Sequence, residues 1–273
     1  MANIFQESLF SKQPRQFEKI AFQAKAFAAN YCGNTIIRDS IFRIAANYAR
    51  KRELSLEILR YPFKDEELWA FTFVKKGILF LCVNSELTIS KQIFAVAHEL
   101  YHIHCYAENI DSDTIVRGSL LDSKIADDLA VSQEDLEANA FAGLLLMPDN
   151  VIDEQAKLYG ITGDKISVDD VLILMELFAL PYKAVVLRLA ENNNITSATA
   201  ENLLKIKADF VSERILLTGR ALAWQQNSRE ILYFGSLLDD MQYNCENEFL
   251  TDSREKSDRE YLKKVKNDFN NED

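Results

Sequence analysis

The chain has three histidines, His98, His102 and His104, and all lie within seven residues. The first two frame His98-Glu99-Leu100-Tyr101-His102, the pattern H-E-x-x-H. On a helix, residues i and i+4 share one face, about 6 Å apart along the axis. Two imidazole nitrogens placed that way can converge on one Zn2+ at about 2.0–2.1 Å. Glu99 is one position on from His98, so it stands beside such a metal and can take a proton from a water attacking a carbonyl. The chemistry indicated is metal-assisted hydrolysis; the alternative is a solvated amphipathic helix with two unliganded histidines. His104 lies about 200° round the helix from His102 and is expected at the surface or supporting a ligand. Tyr101 is expected to pack or to stand exposed rather than to bond a substrate.

Two histidines do not hold a catalytic zinc, because three protein ligands and one open position are needed. No histidine remains and no cysteine is obviously placed, so a carboxylate is implied. The segment SQEDLEANAFAGLLLMP (132–148) offers Glu134, Asp135 and Glu137. Asp135 also reads as the third residue of a capping box opened by Ser132.

Positioning these groups falls to elements legible in the apolar spacing. Residues 14–31 and 37–51 predict two N-terminal helices. Leu54–Tyr61, Leu68–Lys75 and Gly77–Val83 are short, β-branched and aromatic, and predict a small antiparallel sheet. Helical spacing returns from Ser90 to about Cys105, capped by Thr88 or Ser90, and carries the histidines. Residues 106–131, with acidic clusters at Asp111–Asp113 and Asp127-Asp128, predict a loop with one short helix at most. Helices follow from Ser132 to Leu146, over 150–159, from Ser167, from Pro181 and from about Thr196. The last 25 residues are dense in both charge signs and predict a solvated or disordered tail.

Composition bounds the function classes. The 273 residues carry a formal net charge of -11, with 48% hydrophobic residues. So acidic a chain repels phosphates, which argues against bulk binding to nucleic acid or anionic membranes. No window supplies the roughly 18 apolar residues of a membrane helix, and the N-terminus lacks the features of a signal peptide. Cys32, Cys82, Cys105 and Cys245 form no C-x-x-C pair and read as free thiols in a reducing cytosol. The expected location is cytoplasmic.

H-E-L-x-H followed by Glu137-Ala138-Asn139-Ala140-Phe141-Ala142-Gly143-Leu144-Leu145-Leu146-Met147-Pro148 resembles the ImmA/IrrE family of zinc metallopeptidases. The resemblance covers roughly residues 50–205. It implies a zinc endopeptidase with His98 and His102 as ligands, Glu99 as general base and Asn139 supporting a ligand. It also implies a third ligand four residues before Asn139. That position holds Asp135, where the family usually has Glu; Glu137 is the reserve ligand and Glu134 the weakest of the three.

The expected fold is α+β and helix-rich: a zincin-like metalloprotease core with a small antiparallel sheet before the zinc helix and a helical C-terminal region. The expected divisions are N-terminal helices (1–50), a metallopeptidase core (51–150), a helix-turn-helix-like region (151–206) and a helical extension with a charged tail (207–273). The resemblance further implies a protein substrate, plausibly a helix-turn-helix transcriptional repressor of a mobile element or stress response. Two other readings remain: a catalytically idle zinc-fold module binding a regulator or toxin, and a DNA-binding regulator using residues 167–205. Lys183 and Arg188 are the only basic residues on the second helix of that pair, few for a groove-reading helix.

Overall fold

The computed structural model describes residues 8–107, 132–161, 163–229 and 233–270. Three N-terminal helices, α1 (Leu9–Lys12), α2 (Pro14–Phe27) and α3 (Ile41–Lys51), lead into strands β1 (Leu56–Tyr61), β2 (Ala70–Lys75) and β3 (Ile78–Asn84). The long helix α4 (Ile89–Ala107) follows, then α5 (Gln133–Leu146), α6 (Asp149–Tyr159), α7 (Val168–Phe178), α8 (Tyr182–Glu191), α9 (Ser197–Leu204) and α10 (Ala208–Thr218). Strand β4 (Tyr233–Phe234) and helices α11 (Leu237–Glu246) and α12 (Asp252–Asn270) complete the described chain. The fold is α+β and helix-rich.

Local chemistry accounts for many of the helix ends. Ser132 caps α5 by accepting a hydrogen bond from the Asp135 amide. Ser167 and Asp170 form the reciprocal capping box of α7, and Thr196 caps α9. Pro148 and Pro181 stand immediately before α6 and α8, and Gly160 ends α6 in the left-handed conformation. The expected loop over 106–131, with both acidic clusters, falls outside the described residues from 108 onward.

The sheet differs from the expected antiparallel one. It is mixed, with strand order β2-β3-β1-β4. Lys76 and Gly77 both have positive φ (52° and 76°), which suits a tight two-residue hairpin and makes β2 and β3 antiparallel. The eight residues between β1 and β2 instead carry the chain past β3, so β1 lies parallel to β3, with Leu56 opposite Leu79 and Tyr61 opposite Asn84. Fully buried Asn84 fastens that crossover. Its Oδ1 accepts from the amides of Phe63 and Glu86, and its Nδ2 donates to the carbonyls of Asp65 and Leu68. Strand β4 pairs antiparallel with the other edge of β1.

Helix α4 packs on β2 and β3, and α5 packs across both α4 and α2. A continuous hydrophobic core runs from Leu9 to Ala221 and includes Ile93, Ala97, Leu100 and Phe141. In place of the expected solvated or disordered tail the structure has a helix over Asp252–Asn270, largely exposed through residue 264 and supported by i, i+4 pairs between Arg254 and Asp258 and between Glu255 and Arg259. Among the described residues no helix is long and apolar enough to cross a membrane.

Candidate metal centre

Helix α4 carries His98, Glu99 and His102 into the interior, where they are 0%, 0% and 3% exposed. Burying three polar side chains on one helical turn is costly unless each is compensated. The first two turns of α5 lie opposite and supply partners for the two histidines. His98 Nδ1 is 2.9 Å from Asn139 Oδ1, and His102 Nδ1 is 2.9 Å from Glu134 Oε1. Both partners are acceptors, so both Nδ1 atoms carry the proton. Each ring then turns its Nε2 inward, and the two Nε2 atoms stand 3.1 Å apart, within hydrogen-bond distance of each other.

Asp135 completes the cluster. Its Oδ1 is 3.9 Å from His98 Nε2 and 4.0 Å from His102 Nε2. These are the three residues whose ligand atoms come together as a metal site among the described residues. Tetrahedral bonds of 2.0–2.1 Å place ligand atoms about 3.3 Å apart. The nitrogen pair is already at that spacing, and Asp135 needs a shift of about half an ångström. Two imidazoles and a carboxylate, neutral and anionic donors respectively, are a donor set suited to zinc. Burial, and then the charge of His102, push His98 down to about 3 against the weaker opposing bond to Asn139. The ring is thereby held neutral, which is the form that binds metal.

The capping and ligand readings of Asp135 prove compatible. Oδ2 accepts from Ser132 Oγ at 2.6 Å, while Oδ1 faces the histidines. Glu134 is placed behind the His102 ring, and Glu137 is turned away altogether. Glu137 accepts from Tyr101 Oη, Gln16 Nε2 and Gln133 Nε2 at 2.6, 2.9 and 2.8 Å. The neighbours of Asp135 thus hold side chains rather than join the cluster. Glu99 is completely buried, and its charge adds to burial in pushing the Cys82 thiol of β3 up to about 12. The four cysteines are free thiols.

Two sequence expectations change here. His104 is half-buried rather than a plain surface residue, and the hydrogen-bond partner described for it is Tyr48. Its Nδ1 is 2.8 Å from Tyr48 Oη, and its ring meets those of Phe27 and Tyr48 edge-on. The cause is the packing of α3 and the end of α2 along the far side of α4, which helical spacing alone does not reveal. Tyr101, expected to pack or to stand exposed, is buried and donates to Glu137; burial and that bond raise the pKa of its hydroxyl.

On α8, Arg188 is 2% exposed. It is paired with Asp149 and Glu191 and donates to the Met147 carbonyl. Its stem passes so close to Gly143 that a β-carbon there would lie 2.8 Å from Arg188 Cδ. No local sequence signal marks that pairing.

The model of a peptidase family, Peptidase M78, described as the IrrE N-terminal-like domain, matches residues 51–190. That span takes in the sheet strands β1–β3, both helices of the metal cluster and the α7–α8 pair, and is more than half of the chain. The chain belongs to this metallopeptidase family. A search of curated proteins finds no match to it.

Proposed function

We propose that this member of the IrrE N-terminal-like peptidase family is a zinc-dependent endopeptidase, with His98, His102 and Asp135 as the metal ligands and Glu99 as the general base. One observation carries the reading. Two buried imidazoles have their Nδ1 atoms engaged by Asn139 and Glu134, so their Nε2 atoms converge at 3.1 Å beside a carboxylate oxygen. Two nitrogens and a carboxylate oxygen brought together in this way can share one cation.

Bound zinc would polarise the scissile carbonyl and acidify a water. The remaining work belongs to the chain's own side chains. Glu99 accepts a proton from the attacking water and passes it to the departing amide nitrogen, a role that suits a carboxylate buried away from bulk water. Asn139 and Glu134 keep the two rings from rotating. Ser132 does the same for Asp135 through Oδ2. The substrate proposed is a cytosolic protein, a helix-turn-helix transcriptional repressor, as the family resemblance implies.

The test is to load the purified chain with zinc, incubate it with candidate repressors and follow cleavage by gel electrophoresis and mass spectrometry. Wild type is expected to cut, and Glu99→Gln to bind zinc equally and cut about 10²–10⁴-fold more slowly. Cleavage by Glu99→Gln at the wild-type rate would remove the base assignment. Partner binding without cleavage, unchanged by chelator, would favour an idle binding module instead.

A further inference from the structure

We infer that Glu137, gripped by Tyr101 and Gln16, is the positioning residue that sets how α5 meets α4, and that the N-terminal helix α2 therefore helps determine how tightly the metal centre holds its ion. The inference rests on the proposed ligand roles of His98, His102 and Asp135. That site is split between two helices: the histidines are on α4, while Asp135, Glu134 and Asn139 are on α5. Its geometry is only as well defined as the register of one helix on the other.

Two contacts that cross the α4–α5 seam, His98 to Asn139 and His102 to Glu134, end on the ligand rings themselves. The contact between Tyr101 and Glu137 crosses the seam without touching a ligand ring by hydrogen bond. Tyr101 is 4% exposed, and its hydroxyl reaches Glu137 Oε2 at 2.6 Å, a short charge-assisted bond. The other oxygen, Oε1, accepts from Gln16 Nε2 at 2.9 Å and from Gln133 Nε2 at 2.8 Å. Gln13 exchanges two further hydrogen bonds with Gln133, at 2.5 and 3.2 Å. Gln13 and Gln16, about one turn apart at the start of α2, thus face Gln133 and Glu137, about one turn apart on α5. Glu137 joins three helices at one carboxylate, two residues from Asp135. Both glutamines of α2 lie outside the 51–190 span that matches the family.

The experiment measures zinc affinity on the full chain, stripped of metal and titrated in competition with a chromogenic chelator, with circular dichroism to establish folding. A parallel titration with Co2+ reads the ligand environment from the visible spectrum. Tyr101→Phe removes only the bridging hydroxyl, and Glu137→Leu removes the acceptor. Both are expected to weaken zinc binding about 10–100-fold, the range seen for groups that orient ligands, and to alter the Co2+ spectrum. Glu137→Gln keeps an acceptor for Tyr101 and is expected to stay near wild type; Gln16→Ala is expected to cost severalfold. Should Glu137→Leu fail to fold, Tyr101→Phe decides. Wild-type affinity and spectrum in folded Tyr101→Phe overturn the positioning role alone. A wild-type chain that binds no metal overturns the ligand assignment, and this inference with it.

Discussion

Two buried polar corners of this molecule look alike by composition and differ in where their charges point. At the α4–α5 corner, His98, His102 and Asp135 aim nitrogen and oxygen atoms at one common space. At the corner where α8 meets the end of α5, Arg188 is equally buried, but Asp149, Glu191 and the Met147 carbonyl surround it. The second corner is satisfied by its own residues and acts as a clasp. The first is satisfied on its outer side, through Asn139 and Glu134, and directs its inner atoms at a shared centre. Outer support with inner convergence is how metal ligands are organised. The comparison also bears on the α7–α8 pair, whose buried Arg188 is not offered to phosphates.

The comparison can be broken by substitution. His102→Ala should have the largest effect, removing measurable zinc from the isolated protein and all cleavage above background, as metal analysis and the gel assay would read. Glu99→Gln should cost about 10²–10⁴-fold in cleavage with metal content unchanged; loss of metal in that variant would mean Glu99 is a ligand rather than a base. Arg188→Met should lower stability by about 3–5 kcal/mol, because Glu191 is left buried without its partner. Urea denaturation would read this, and zinc affinity in the folded variant should not move. If the midpoint stays put, the clasp description is wrong.

Glu134→Ala should weaken zinc binding about 10–100-fold by freeing the His102 ring, with little change in the denaturation midpoint of metal-free protein. A further test concerns that metal-free protein in acid. His98 is held below its ordinary value in the folded state. Between about pH 6.5 and 3 the unfolded chain therefore binds the extra proton. Stability present above pH 6.5 should decline as pH falls through that window, with a slope near 1.4 kcal/mol per pH unit from this one group. His98→Asn should flatten that part of the profile.

The helix that carries the histidines was legible because its signals are local. The i, i+4 spacing of His98 and His102 and the adjacent Glu99 specify one face of one helix whatever surrounds it. The caps Ser132, Ser167 and Thr196 and the stop at Pro148 are equally local. Glu134, Asp135 and Glu137 were all visible as candidate carboxylates, and Asp135 stood first through the family pattern. Their division of labour was not visible from spacing. They sit within one turn of α5, about 100° apart per residue, and which of them meets the histidines depends on the face α5 turns to α4.

The same limit explains the parallel pairing of β1, which turns on how residues 62–69 cross the sheet, and the packing of His104 against Tyr48. It explains the burial of Arg188 as well, which needs Gly143 and Asp149 brought together from distant segments. By itself the sequence determined the reactive residue types, their spacing along one helix and the helix ends, since each follows from backbone geometry over a few residues. Only the tertiary structure decided which acidic side chain faces the two rings, which ones brace them, and which buried charge is merely neutralised. Those outcomes depend on contacts between residues far apart in the chain.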